Sequence, residues 1–261
     1  MKKVLIKNRK NMKMAVVVDK AKDQKGLVFV MHGLGGFKEQ EHIQVFAQAF
    51  KEKGYTTVLF DTTSTLGESD GKYEDATITN YYEDLEDVIA WAEKQGWYKE
   101  PFAMAGHSLG GICMSLYAQK YPEKVFALAP ISTVVSGKLS VEAHDRFEPE
   151  SYKEWKRTGW QESESKSKPG IMKRLPWSHV EDRLKYDLLP NVSKLTMPTL
   201  LIVGERDTST PSDQQEILYN ALPGPKEYHI IKGSEHTFRD PKHLEEIKQI
   251  FLNWIDKINN P

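Results

Sequence analysis

One pentapeptide, Gly106-His107-Ser108-Leu109-Gly110, with Gly111 behind it, constrains the fold more than any other part of the sequence. The apolar run Phe102-Ala103-Met104-Ala105 precedes it. A helical stretch over 112–121, stopped by Pro122, follows it. A strand that passes directly into a helix must turn within one or two residues. The apex residue is then strained, and only small neighbours leave room for it. The turn also exposes the apex hydroxyl at the carboxyl end of a sheet, with helix N–H groups behind it.

The rest of the chain alternates short apolar runs with helical stripes. Residues 4–6 and 15–18 flank the polar turn 8–11 and read as a hairpin. The runs 27–31, 57–60, 102–105, 125–129, 199–203 and 228–231 read as strands. Ile43, Phe46, Ala47 and Phe50 share one helical face, as do Ile78, Tyr82, Leu85, Ile89 and Ala92. A helix over 214–222 and a long amphipathic helix carrying Leu244, Ile247, Phe251 and Trp254 complete the series. The alternation predicts an α/β fold with a mostly parallel central sheet flanked by helices.

The pattern breaks over 133–188, which is charged and holds Trp155, Trp160 and Trp177, three of the six tryptophans. Structureless loops of that length are uncommon inside compact domains. The expectation is a core of 1–132 and 189–261 carrying a helical insertion, 133–188, with a flexible polar loop at 161–170.

Composition narrows the function. Lys plus Arg number 36 against 37 for Asp plus Glu, a net charge of −1, which suggests neither nucleic acid nor an anionic membrane as partner. The single cysteine, Cys113, excludes an internal disulfide. No apolar stretch approaches the roughly eighteen residues of a membrane span, and no signal peptide is read at the N-terminus. A soluble cytoplasmic protein acting on a small molecule is expected.

A serine hydroxyl is a weak nucleophile without a base. Of the eight histidines, His236 stands apart, in the loop Gly233-Ser234-Glu235-His236 between the last strand and the last helix. Asp207, after the 199–203 run, is the best orienting carboxylate; Glu205 is its nearest competitor and Asp213 a weaker one. The order Ser108, Asp207, His236 suits a strand-ended triad. In His32-Gly33-Leu34-Gly35-Gly36 the glycines let a loop approach the serine. The N–H of Leu34 can then join that of Leu109 as an oxyanion hole, with His32 bracing the loop. No metal or cofactor is needed. Cys113 reads as a buried small residue, and His179 with Glu181 and Asp182 as a solvated charged face rather than a metal site.

These residues together resemble the α/β-hydrolase superfamily over nearly the whole chain. Within it the chain is similar to bacterial cinnamoyl (feruloyl) esterases and monoacylglycerol-lipase-like hydrolases. The likeness is carried by His32-Gly33, Phe60-Asp61, the stretch from Gly67 through Asp70-Gly71-Lys72-Tyr73-Glu74-Asp75, the acidic helix 81–91, Ser108, 204–207 and His236. Leu109 stands where those esterases usually carry Gln, and 62–66 departs from their glycine- and histidine-containing loop. The resemblance implies a lid at 133–188 and hydrolysis of small to medium acyl or aryl esters, hydroxycinnamoyl esters among them. Thioesterase, acyltransferase, aminopeptidase and C–C hydrolase chemistry remain open for the same triad. So does a non-catalytic ligand receptor on the same fold.

Overall fold

The computed structural model describes residues 1–260. Strands β1 (Lys2–Lys7) and β2 (Lys13–Asp19) form the antiparallel hairpin read from the sequence. Then β3 (Gly26–Met31), α1 (Glu41–Glu52), β4 (Tyr55–Phe60), α2 (Ile78–Ala92), β5 (Phe102–His107), α3 (Leu109–Lys120) and β6 (Val125–Ile131) alternate. An excursion follows: α4 (Gly137–Phe147), α5 (Pro149–Thr158), β7 (Trp160–Glu164), β8 (Met172–Pro176) and α6 (Ser178–Arg183). The alternation resumes with β9 (Thr199–Gly204), α7 (Ser212–Ala221), β10 (Lys226–Ile231) and α8 (Pro241–Asn259). Among the described residues no helix is long and apolar enough to cross a membrane.

The eight-stranded sheet has the order β1-β2-β4-β3-β5-β6-β9-β10 and is parallel from β4 to β10. Helices bury both of its faces, so the central strands read as continuous apolar runs. Leu27, Phe29 and Met31 of β3 pack with the α2 and α3 side, and Val28 and Val30 with the α1 and α8 side. There Phe46 of α1 stacks on Phe251 of α8 at 4.9 Å. From β3 the chain first adds β4 on one side and then crosses to β5 on the other. The reversal leaves a crevice beyond the carboxyl ends of β3 and β5, where open sheets of this kind bind ligands.

The ends of the excursion are tied together by Gly137 N–H donating to Tyr186 O (2.8 Å) and Leu188 N–H to Val135 O (3.0 Å). Its interior corrects two expectations. The polar stretch 161–170 is a loop only from 165 onward, because β7 takes up its first four residues and pairs with β8 as an antiparallel hairpin inside the otherwise helical insertion. The backbone ladder and one buried apolar residue, Leu175 against Trp155 and Val180, seat that hairpin, and its outer face is charged. Glu162 and Arg174 are register partners with a 2.7 Å ion pair, and the Arg174 guanidinium lies 4.3 Å from the Trp160 ring centre. Such a strand has no hydrophobic period to read. Nor is α6 a solvated charged face. His179, Asp182 and Arg183 are buried, and of its charged residues only Glu181 is exposed. Asp182 is drawn inward by α2, where it accepts from the N–H (3.1 Å) and hydroxyl (2.5 Å) of Thr79.

Candidate active site

The loops after β3, β5, β9 and β10 leave the same sheet edge and converge. At the end of β5, Ser108 has φ 54° and ψ −114°, a conformation costly for any residue with a Cβ. The flanking glycines are required by space. A Cβ on Gly106 would lie 2.6 Å from the Gly110 backbone, and one on Gly110 2.4 Å from the His32 carbonyl oxygen. Ser108 N–H donates to Ile131 O at 2.9 Å, and its carbonyl accepts from Gly111 at 3.0 Å, which pins the turn.

Three side chains nominated by the sequence lie in one hydrogen-bonded line. Ser108 Oγ is 3.0 Å from His236 Nε2, and His236 Nδ1 is 2.8 Å from Asp207 Oδ2. Asp207 Oδ1 also accepts from the N–H groups of Ser209 and Thr210, both at 2.9 Å, and Thr210 Oγ1 lies 2.9 Å from Oδ2. Burial pushes the Asp207 carboxyl up. The His236 imidazole and the Thr210 hydrogen bonds outweigh it and hold the group well below the usual carboxylate range. An ionised Asp207 selects the tautomer with a proton on Nδ1, which leaves Nε2 to accept from the serine hydroxyl. The two competing carboxylates are engaged elsewhere. Glu205 accepts from Gly233 N–H at 2.8 Å, and Asp213 pairs with Arg146 at 2.7 Å.

The glycine loop after β3 presses against the serine: a Cβ on Gly33 would stand 3.0 Å from Ser108 Cβ. His32, fully buried, braces the loop by donating from Nδ1 to Gly33 O (2.8 Å) and accepting from Thr62 N–H at Nε2 (3.1 Å). Burial pushes its pKa down, so the ring stays neutral. Lys38, also buried, anchors the same loop by pairing with Asp61 (2.7 Å), Glu68 (2.6 Å) and Glu39 (2.7 Å). Leu34 and Leu109 line the cavity over Ser108, and among the described residues no protein group accepts from either N–H. Donors so placed can receive a developing oxyanion.

Two supporting residues were not singled out from the sequence. His107 donates from Nε2 to the His236 carbonyl at 2.7 Å and so holds the imidazole loop. Burial, then the neighbouring His236, push His107 down to about 3. Thr210 braces Asp207, and its position three residues on, in an Asx-type turn, was the available signal. Cys113 is buried behind the elbow, and burial pushes its thiol well up, away from reactivity.

A cavity of about 600 Å³ lies over the Ser108–His236 pair, between the sheet edge and the excursion. Its far wall is polar, with Ser140, His144, Lys173, His179 and Arg183 among its residues. Only Trp155 of the three tryptophans there reaches it. Trp177 packs against Trp155 at 5.9 Å, and Trp160 is exposed.

The family described as Hydrolase_4, serine aminopeptidase, S33, matches residues 22–241. An Escherichia coli protein, described as an uncharacterized 31.7 kDa protein in the traX-finO intergenic region, is 26% identical over 88% of this chain and 90% of its own length. Mouse palmitoyl-protein thioesterase ABHD10, mitochondrial, is 25% identical over 90% of this chain and 76% of its own. The structure of Est1E from Butyrivibrio proteoclasticus with ferulic acid bound superposes with a TM-score of 0.81. It is 22% identical, with 99% of this chain and 100% of that one covered.

Proposed function

The chain belongs to the Hydrolase_4 (serine aminopeptidase, S33) family of α/β-hydrolases, and from that premise we propose that it is a serine esterase working through an acyl-enzyme. The observation that carries the reading is the unbroken relay of Ser108, His236 and Asp207, with spacings of 3.0 and 2.8 Å, at the floor of a cavity. Ser108 Oγ attacks the ester carbonyl as His236 Nε2 takes its proton. The N–H groups of Leu34 and Leu109 bind the oxyanion, and Asp207 stabilises the imidazolium. His236 then protonates the leaving alcohol. Water, deprotonated by the same imidazole, releases the acid. In this reading the excursion over 133–188 is a lid that governs which esters reach the serine.

The kinship with ABHD10, named a palmitoyl-protein thioesterase, favours a second reading in which a thioester is the substrate. The relay serves either carbonyl, and only the leaving group differs. Aminopeptidase action is less favoured, because the buried charge on the lid wall is the cation Arg183, which repels a peptide's terminal ammonium.

The test is turnover of 4-nitrophenyl esters and of acyl thioesters of matched chain length by the wild type and Ser108→Ala. Turnover lost in the folded variant supports the reading, and the better leaving-group series decides between ester and thioester. Unchanged turnover in Ser108→Ala would overturn it.

A further inference from the structure

Buried polar atoms without a hydrogen-bond partner are scarce in folded proteins, and each one asks for a reason. Among the described residues, six side-chain nitrogen or oxygen atoms have this character, and three of them are Trp155 Nε1, His179 Nε2 and Arg183 Nε. All three residues line the cavity over Ser108. They are also neighbours. The Trp155 and His179 rings lie 6.3 Å apart and 20° from parallel, and the Arg183 guanidinium carbon is 5.9 Å from the Trp155 ring centre. His179 and Arg183 stand one turn apart on α6, on one helical face.

Arg183 is the unusual member. It is 9% exposed. It donates from Nη1 to Ser140 Oγ at 2.9 Å, and no carboxylate of the described residues pairs with it. Burial pushes the guanidinium down to about 10, which still leaves it cationic at neutral pH. A buried charge without a counter-ion is costly. The other deeply buried cation of the loop region, Lys38, has three carboxylates around it. The cavity's own carboxylates, Glu148, Glu162, Glu164 and Glu235, are all exposed to solvent. A second cation reinforces the imbalance. Lys173 lines the same cavity half-buried, and burial, Lys166 and Arg239 push its ammonium down.

We propose that Arg183 and Trp155 form a subsite for a carboxylate carried by the substrate, with the Arg183 guanidinium as its counter-ion. The fork of guanidinium N–H groups matches the two carboxylate oxygens, and the indole N–H adds a neutral donor beside it. His179 has a different part. Its Nδ1–H donates to the Ala76 carbonyl at 2.7 Å, which leaves Nε2 as an acceptor, suited to a ligand O–H rather than to the anion. The proposal deepens the esterase reading and depends on it only for the ligand being a substrate.

The carboxylate can belong to the acyl or to the alcohol part of the ester, and two substrate pairs separate these sources. One pair is 4-nitrophenyl hydrogen glutarate and its methyl ester. The other is 4-acetoxybenzoate and its methyl ester. Free glutarate and 4-hydroxybenzoate are titrated calorimetrically into wild type, Arg183→Gln and Arg183→Lys, with thermal melts to establish folding. In one pair the carboxylate ester should exceed its methyl ester at least tenfold in kcat/KM. That ratio should fall toward one in Arg183→Gln and stay intermediate in Arg183→Lys. The corresponding free acid should bind the wild type and lose at least tenfold in affinity in Arg183→Gln. If Arg183→Gln does not fold, Arg183→Lys must still lower the ratio at least threefold. Hydrolysis of neutral esters with no carboxylate preference in either pair, or a preference unchanged in the folded variants, overturns the subsite. Arg183-dependent binding of a free acid without hydrolysis of any ester upholds the subsite and overturns the esterase reading instead.

Discussion

The catalytic relay proposed at the sheet edge and the insertion wall face each other across one cavity and differ in how fully their polar groups are partnered. At the sheet edge the relay is complete. Ser108, His236 and Asp207 each have their partners, and Asp207 alone takes hydrogen bonds from two backbone N–H groups. Lys38 beneath the glycine loop is likewise neutralised by three carboxylates. Across the cavity, Trp155, His179 and Arg183 each keep a polar atom buried and unpartnered. In the proposed reading the difference separates two tasks. Groups that carry out chemistry gain from being fixed before the substrate arrives. Groups that select a substrate must leave part of their bonding capacity for it.

The largest effect should come from breaking the complete side. Ser108→Ala is expected to lower ester turnover by about five to six orders of magnitude, with a melting temperature close to wild type, checked by steady-state kinetics and calorimetry. Asp207→Asn should cost about four orders in kcat with little change in KM, because an amide no longer selects the Nδ1–H tautomer. Lys38→Met should destabilise the fold by about 3–5 kcal/mol in urea unfolding, since Asp61 is left buried without its cation. Arg183→Met should melt no lower than the wild type, because the charge it removes has no protein counter-ion. That contrast between two buried cations is the sharpest form of the comparison. A smaller effect concerns pH. A cation is present below its pKa and lost above it, so any preference for carboxylate esters should fade as pH rises through about 10. Trp160→Ala, exposed and outside the cavity, should change the ratio of specificity constants between bulky and small esters less than about twofold. Trp155→Ala should change it more.

The sheet edge was legible in the sequence because its geometry is imposed locally. A strand-to-helix turn at Ser108 demands glycines, a loop against that serine demands Gly33, and strands buried on both faces write continuous apolar runs. Asp207 and His236 follow from their places after β9 and β10. The far wall was not legible, for the same physical reason in reverse. The β7–β8 hairpin buries a single apolar side chain, Leu175, and carries mostly charged and polar residues on the rest of its faces, so it shows no alternation to read. The burial of α6 depends on Asp182 reaching Thr79, about a hundred residues earlier in the chain. In sequence, Glu181-Asp182-Arg183 has the composition of a wet surface, and nothing local says that two of the three turn inward. His107 and Thr210 lay between: adjacent to nominated residues, yet recognisable as braces only once their partners were placed.

The most direct measurement on the complete side is covalent. A fluorophosphonate reacts with a serine only where a base and an oxyanion hole activate it. Wild-type protein treated with such a probe, digested and analysed by mass spectrometry should carry one stoichiometric adduct, on the peptide containing Ser108. Folded Ser108→Ala should carry none. An unlabelled wild type, or an adduct that persists in Ser108→Ala, would contradict the assignment of Ser108 as the nucleophile.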